Sequence, residues 1–502
     1  MSDYGNEYII RGQYGGCTDT IIVSHDGGGY TGLTELPGGY FEISYLPYID
    51  DTGVTFTITT TSDCDCIPNS VNFFLQVNNP TEVIIVNVGT TITVTTPLGI
   101  DYEYQLMSGD TIIEPFKPGP NFNDVENGTY TVIAKIGDCS RESNELILDL
   151  YGFITEWYNS KPRGSITLPL NSSNGSTFDF VVDWGDGSTN HIASAVDPNR
   201  IHEYANVGMY EVEIVGKCEG WSFNNSLGSN KSAIRKIKYW GDVGKFDGFK
   251  YLRDGFYGCY NLTDIEHGSI IDAGITDLTQ LFRGCSSLGT LPDEIFYNCV
   301  DVTTFNNAFT NCIALSSIPR PLFKYNTLVQ HFSSTFTSCL SLIEIPENLF
   351  DTNIAVINFN AAFYGCSSLT TIPSNLFKYN VHALSFSEIF SSCSLLASVP
   401  ENLFRYNTIA TDFYSAFNGC NKLKLNAYIF YDDEPDKLTR FLNQSPDFTK
   451  CFNISVFTGV QGTAPELWDC AYGTGTPITP DCFAGHSVAS VDNFGSIPGA
   501  WL

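Results

Sequence analysis

The chain has 502 residues and carries 25 Lys+Arg against 55 Asp+Glu, a net charge of 25 − 55 = −30. That length suits about three to five domains, and no run approaches the roughly 18 apolar residues of a membrane span. The charge argues against nucleic acid as a partner, because little here could neutralise a phosphate backbone. With 44 Gly, abundant Asn, Thr and Ser, and 14% aromatics, the composition favours strands and turns around sizeable cores over long helices.

The first residues, MSDYGNEYIIRGQYGG, lack the basic and apolar regions of a signal or transit peptide. The expectation is a chain made and used without export through the secretory channel. Residues 1–79 read as an N-terminal β domain, from DTIIVSH, GVTFTITTT and VNFFLQV. Residues 1–150 hold 21 Asp/Glu against four Lys/Arg, which reads as a self-repelling surface or as an acidic end that docks a basic or metal-rich partner. Within Ser62–Cys66 lies the one close cysteine pair, SDCDC. Zinc or a disulfide with Cys17 are the options there, but a C-x-C without neighbouring His is a poor zinc site, so no metal or cofactor is assigned.

Residues 80–150 read as an Ig-like β-sandwich. TEVIIVNVGTTITVTT and NGTYTVIAKIGDC alternate at period two, with Asn127-Gly128 as a turn. From Phe180 to Gly216 runs FVVDWGDGSTNHIASAVDPNRIHEYANVGMYEVEIVG, a strand entering the tight turn Trp184-Gly185-Asp186-Gly187, then His202-x-Tyr204, Gly208 and Tyr210-x-Val212. Asp183 and Asp186 could hold calcium, but Asp beside Gly more often bonds its own turn. Trp184 and Asp186 are therefore taken as structural. These residues resemble a PKD domain, an Ig-like sandwich, which implies that fold for 151–238.

A repeat follows. Cysteines stand at 259, 285, 312, 339, 366, 393 and 420, spaced by 26 and then five times by 27. Phe305, Phe332, Phe359, Phe386 and Phe413 are each followed four residues later by a second Phe, and three later by the Cys. Leu and then Ile or Val come at successive third positions, then Pro319, Pro346, Pro373 or Pro400 and a Leu-Phe pair. Phe-x-x-x-Phe suggests two rings on one face of a short helix, and Ile-Pro a short extended segment ended by proline. Stacked copies would bury what one copy cannot. At about 4.8 Å per coil, seven would make a rod of roughly 35 Å. The frame resembles BspA-type leucine-rich repeats of bacterial surface and bacteriophage proteins, with Ile-Pro replacing the usual Asp-rich strand. The resemblance implies an α/β leucine-rich-repeat solenoid over 239–430, and residues 431–502 read as irregular capping repeats. The fold class expected overall is thus multidomain, with all-β sandwiches followed by that solenoid.

Column spacing is wrong for a zinc site or a disulfide ladder, so Cys285, Cys312, Cys339, Cys366, Cys393 and Cys420 are expected as buried structural thiols. No nucleophile elbow, H-E-x-x-H, phosphate loop or dinucleotide fingerprint occurs, so no catalytic residue is named and a non-enzyme is expected. The candidate binding residues are Lys324, Tyr325, Lys378, Tyr379, Arg405 and Tyr406, where [Lys/Arg]-Tyr-Asn recurs and could form a cation-and-aromatic edge for glycans. The alternative is a turn whose Tyr packs between coils and whose Asn bonds backbone.

The family resemblance implies adhesion, and the missing leader favours a bacteriophage virion protein, a head or tail fibre or decoration protein. The expected partners are other virion proteins at the N-terminal region, a host-surface or mucus glycan or protein at the repeats, and further copies of the chain. A bacterial surface or secreted adhesin is the alternative, and a glycan-active enzyme a second one.

Overall fold

The computed structural model describes residues 151–502 apart from 269, 271, 273, 321 and 433, most of 83–150, and within residues 1–82 six strands, without side chains for those strands. Cys17, Cys64 and Cys66 lie outside the described residues, as does the question of their pairing. The chain forms two compact units, Met1–Leu150 and Tyr151–Leu502.

In the first unit, two three-stranded antiparallel sheets join Tyr8–Gln13, Tyr40–Leu46 and Tyr30–Leu36, and Ile21–His25, Gly53–Thr60 and Ser70–Gln76. Further on, Thr111–Lys117, Glu103–Ser108, Gly128–Ile136 and Cys139–Glu142 form one sheet, with Leu146–Leu148 also paired to Gly128–Ile136. Ile84–Val88, Thr91–Thr96 and Asn121–Phe122 form another. Alternate residues face a core of Ile92, Val94, Tyr104, Leu106, Phe122 and Val132, as period-two patterning requires of strands with one buried face.

The second unit begins with a six-stranded sheet. Its order is Thr189–Ile192, Phe178–Asp183, Gly208–Cys218, Phe153–Asn159, Ile234–Trp240 and Asp264–His267, the last pair parallel. Phe153–Asn159 is buried at every second residue. A two-stranded sheet, Gly164–Thr167 with Ile201–Tyr204, adds Ile166 and Tyr204 to the same core. That core does not stop at residue 238. Ile234–Trp240 is an interior strand, and Phe153 lies 5.3 Å from Trp221 and 5.1 Å from Phe249, ring centre to ring centre. The first coil is bonded to the sheet unit through Trp221 N to Tyr251 O (3.0 Å) and Phe223 N to Asp254 O (3.0 Å).

The expected α/β leucine-rich-repeat solenoid is not what the repeats form. Among the described residues the only α-helices are Gly228–Lys231 and Glu434–Thr439, and no strand longer than a single bridge occurs after His267. The Phe-x-x-x-Phe segment is a pair of turns, not a helix. In Phe305–Cys312 the turns close by Ala308 N to Phe305 O (3.0 Å), Thr310 N to Asn307 O (3.2 Å) and Cys312 N to Phe309 O (3.1 Å). Four other amides leave the coil: Phe305 N, Asn307 N, Phe309 N and Asn311 N donate to the carbonyls of His331, Ser333, Thr335 and Thr337 at 2.8–3.0 Å. Asn307 and Asn311 have φ of 57° and 61°. A left-handed residue at each turn reverses the helical path after one turn, which sends alternate N–H groups along the stack. Single-residue parallel bridges run Asp277, Thr304, His331, Asn358, Ser385, Asp412, Asp447, Ile478.

Apart from His331 and Ile478, these bridge positions hold Asp, Asn, Ser or Thr, whose side chains accept an amide two residues ahead, as Asp277 does from Thr279 (2.8 Å) and Asn358 from Asn360 (2.8 Å). Inside, rings stack coil on coil. Phe309 lies 5.3 Å from Phe336, Phe336 5.5 Å from Phe363, and Phe363 5.6 Å from Phe390. Parallel columns run through Phe305 and Phe323. The stack continues past residue 430 through Phe448, Phe452 and Phe483. Trp501, whose carbonyl accepts Phe483 N (2.9 Å), covers that last coil.

Candidate functional site

The Lys/Arg-Tyr-Asn turns lie on one edge of the coils, after the buried Leu-Phe pair. Their three residues have separate fates. The Asn is buried: Asn326, Asn353 and Asn407 have no exposure, and Asn380 has 1%. Each amide reaches back one coil. Asn380 Nδ2 donates to Phe350 O (3.1 Å) and Asn353 O (2.9 Å), and Asn407 Nδ2 to Phe377 O (3.0 Å) and Asn380 O (2.9 Å). This is an asparagine ladder, so the backbone-bonding role holds for this residue. Arg440 ends it, with Nη2 to Asn407 O (3.0 Å) and Nη1 to Thr408 O (3.3 Å). Burial pulls the Arg440 guanidinium down to about 10, which leaves it charged at neutral pH.

The cations and tyrosines stay at the surface. Tyr379 is 46% and Tyr406 42% exposed. Lys324 Nζ stands 5.2 Å from the Tyr325 ring centre, Lys378 Nζ 5.3 Å from that of Tyr379 and 6.0 Å from that of Tyr406, and Arg405 5.9 Å from that of Tyr406. Tyr325 also meets Tyr297 edge-on at 4.6 Å. The row is broken in the middle, because Asp351 and Thr352 take the Lys-Tyr positions. Burial raises the Asp351 carboxyl above its ordinary range, with Lys378 opposing. Arg405 is engaged elsewhere: it bonds Asp432 and lies 3.4 Å from Asp436, so it ties the edge to the segment that follows. The surface candidates therefore reduce to Lys324 with Tyr325, and to Lys378 with Tyr379 and Tyr406.

The column cysteines are all buried with free thiols. Cys312, Cys339, Cys366 and Cys393 donate Sγ–H to the carbonyls of Phe282, Phe309, Phe336 and Phe363 at 3.2–3.3 Å. Burial pushes the Cys366 and Cys420 thiols up to about 12, so the reactive thiolate is essentially absent at neutral pH.

At the Trp184 turn, Gly185 has φ of 75° and a Cβ there would sit 2.4 Å from Glu211 O. Asp183 accepts Gly185 N (2.8 Å). Asp186 accepts Ser188 N (3.1 Å) and Ser188 Oγ (2.6 Å), and its second oxygen meets His202 Nε2 at 2.8 Å. Burial works to raise Asp186, but the bonds from Ser188 and His202 outweigh it and hold the carboxyl below its ordinary value. His202 stacks on Trp184 at 4.7 Å, and Tyr204 Oη donates to Trp184 O (2.9 Å). Both Asp residues are thus committed to the turn. No group of three or more His, Cys, Asp and Glu side chains suited to a metal ion occurs among the described residues.

The ladder was findable from the repeat itself, since Asn recurs unchanged at 326, 353, 380 and 407 while its two predecessors vary. No protein-family model, curated protein or solved structure matches this chain.

Proposed function

We propose that this chain is a non-enzymatic structural and adhesion protein of a phage particle, a fibre or decoration protein. Its acidic N-terminal part attaches to the particle, and its coil edge binds host-surface or mucus glycan. The observation that carries the binding half is the recurrence of surface rings with a cation beside them, the half-buried Tyr325 with Lys324 and the exposed Tyr379 and Tyr406 with Lys378, on one edge. A ring face stacks on sugar C–H groups, and an adjacent ammonium pairs with acidic substituents. The virion half rests on the likeness of the Phe-x-x-Cys-x-x-Leu repeat and the Trp-Gly-Asp-Gly turn to BspA-type and PKD proteins.

The test is a glycan array probed with the full chain and with a Tyr379→Ala/Tyr406→Ala variant. The expected result is a bound glycan set that the double variant loses by about tenfold, as loss of aromatic stacking implies. An unchanged profile sinks the edge. Mass spectrometry of purified particles tests location. Absence from particles together with labelling on intact bacteria would select the surface-adhesin alternative, and depolymerisation of a bound polysaccharide would select the enzyme.

A further inference from the structure

The sheet region carries a second candidate site, well away from the edge row in sequence. A cavity of about 410 Å³ opens between the two-stranded sheet and the loop before Gly228–Lys231. That volume lies within the range of about 300–1,000 Å³ usual for small-molecule sites. Its walls come from three segments, 165–171, 200–201 and 222–230. They are cross-linked by Leu168 N to Arg200 O (2.9 Å), Ser222 N to Pro169 O (2.8 Å) and Thr167 N to Asn230 Oδ1 (3.0 Å). The Asn230 amide returns a bond to Thr167 O. The site is therefore pre-formed, and a ligand would spend little on ordering it.

The lining chemistry is selective. Arg200 is the sole charged residue among the lining residues, in a chain with 55 carboxylates. Its one side-chain hydrogen bond among the described residues runs from Nη1 to Leu168 O at 3.2 Å, which leaves most of its five N–H donors for a ligand. Ser165, Thr167, Ser226 and Ser229 add hydroxyls. At the mouth stand two aliphatic side chains that nothing covers, Leu227 at 77% and Ile201 at 53% exposure.

A planar cation, several hydroxyls and an apolar lip match a carboxylate, a polyol and a C–H face on one small molecule. We propose that this cavity binds an acidic monosaccharide unit, a uronic-acid-type sugar, with its carboxylate on Arg200 and its ring against Leu227 and Ile201. A guanidinium fork accepts a carboxylate through paired, charge-assisted bonds. The proposal does not depend on the particle reading or on the edge row.

The test is saturation-transfer difference NMR on the full chain, with free glucuronate, glucose and acetate as probes. Glucuronate should give a signal about tenfold stronger than glucose, the preference a charge-assisted pair supplies, and acetate should not displace it at equal concentration. Arg200→Ala should abolish it. Leu227→Trp, at a residue exposed enough to leave folding intact, should block it too and decides the matter if Arg200→Ala unfolds. Tyr379→Ala/Tyr406→Ala should leave it unchanged, which separates this site from the edge. Equal glucose and glucuronate signals, displacement by acetate, or a signal that survives Arg200→Ala or Leu227→Trp would each overturn the proposal.

Discussion

A single side-chain amide is the smallest unit that ties one coil to the next. Asn380 gives both its amide protons to carbonyls of the preceding coil, Phe350 and Asn353. Asp is nearly the same shape but has no donor when ionised, so Asn380→Asp turns two bonds into two repulsive contacts in a buried site. We expect a loss of about 3 kcal/mol at neutral pH in urea unfolding, partly recovered near pH 4 as the carboxyl gains a proton to donate. Asn380→Leu should cost about 2 kcal/mol with no recovery in acid. A pH-independent Asn380→Asp would contradict the ladder. Asp186 makes the opposite case. Its carboxyl is held below the ordinary carboxylate value, so its contribution is present above the unfolded value and lost as pH falls through the folded one. Wild type should therefore melt above Asp186→Asn at pH 6, and the gap should close as the pH drops below the usual carboxylate range.

At the scale of the element, the coil is a sequence of turns whose left-handed positions alternate with right-handed ones. Asn and Gly suit the left-handed position, but Ala361 occupies it with φ of 53° while its neighbour Ala362 is buried and does not. A left-handed Ala costs about 1 kcal/mol, roughly what Gly loses through its freer unfolded chain. Ala361→Gly should therefore be near neutral, and Ala362→Gly destabilising by about 1 kcal/mol or more, as both backbone entropy and the buried methyl are lost. Chemical denaturation of the two variants checks this, and equal losses would mean that position 361 is not a left-handed turn residue. Arg440 shows how an element ends. The helix Glu434–Thr439 cannot continue the asparagine ladder, so its next residue supplies guanidinium donors to the last carbonyls.

For the second unit as a whole, coils touch chiefly their neighbours, so stability is passed along the stack and its ends need covers. One cover is the six-stranded sheet, joined to the first coil through Trp221 and Phe223. The other is the turn ending at Trp501, which is 6% exposed and 5.9 Å from the Phe448 ring. Trp501→Ala should cost about 3 kcal/mol locally. Hydrogen exchange should then speed up at Phe448–Phe483 and stay slow at Phe305–Cys312. Uniform acceleration would mean that the stack opens as a block.

The sequence by itself determined the period and the inward columns. A column of identical side chains can form only if the same residue returns at each coil, so Phe309, Phe336 and Phe363, and Cys312, Cys339 and Cys366, announce their burial by spacing alone. The turn chemistry of Trp184-Gly185-Asp186-Gly187 was equally local, since Asp183 and Asp186 bond amides two residues ahead. What the spacing could not decide was the backbone between the columns. Two rings four residues apart suit a helix as well as a pair of turns, and the choice fell to bonds from Phe305, Asn307, Phe309 and Asn311 to a coil 26 residues on. The same distance in sequence hid the acceptors of the asparagine ladder, the ion pairs that occupy Arg405, and the cavity that Arg200 shares with Thr167 and Leu227. Each of these joins groups at least 26 residues apart, and only the folded chain brings them within hydrogen-bonding or van der Waals reach.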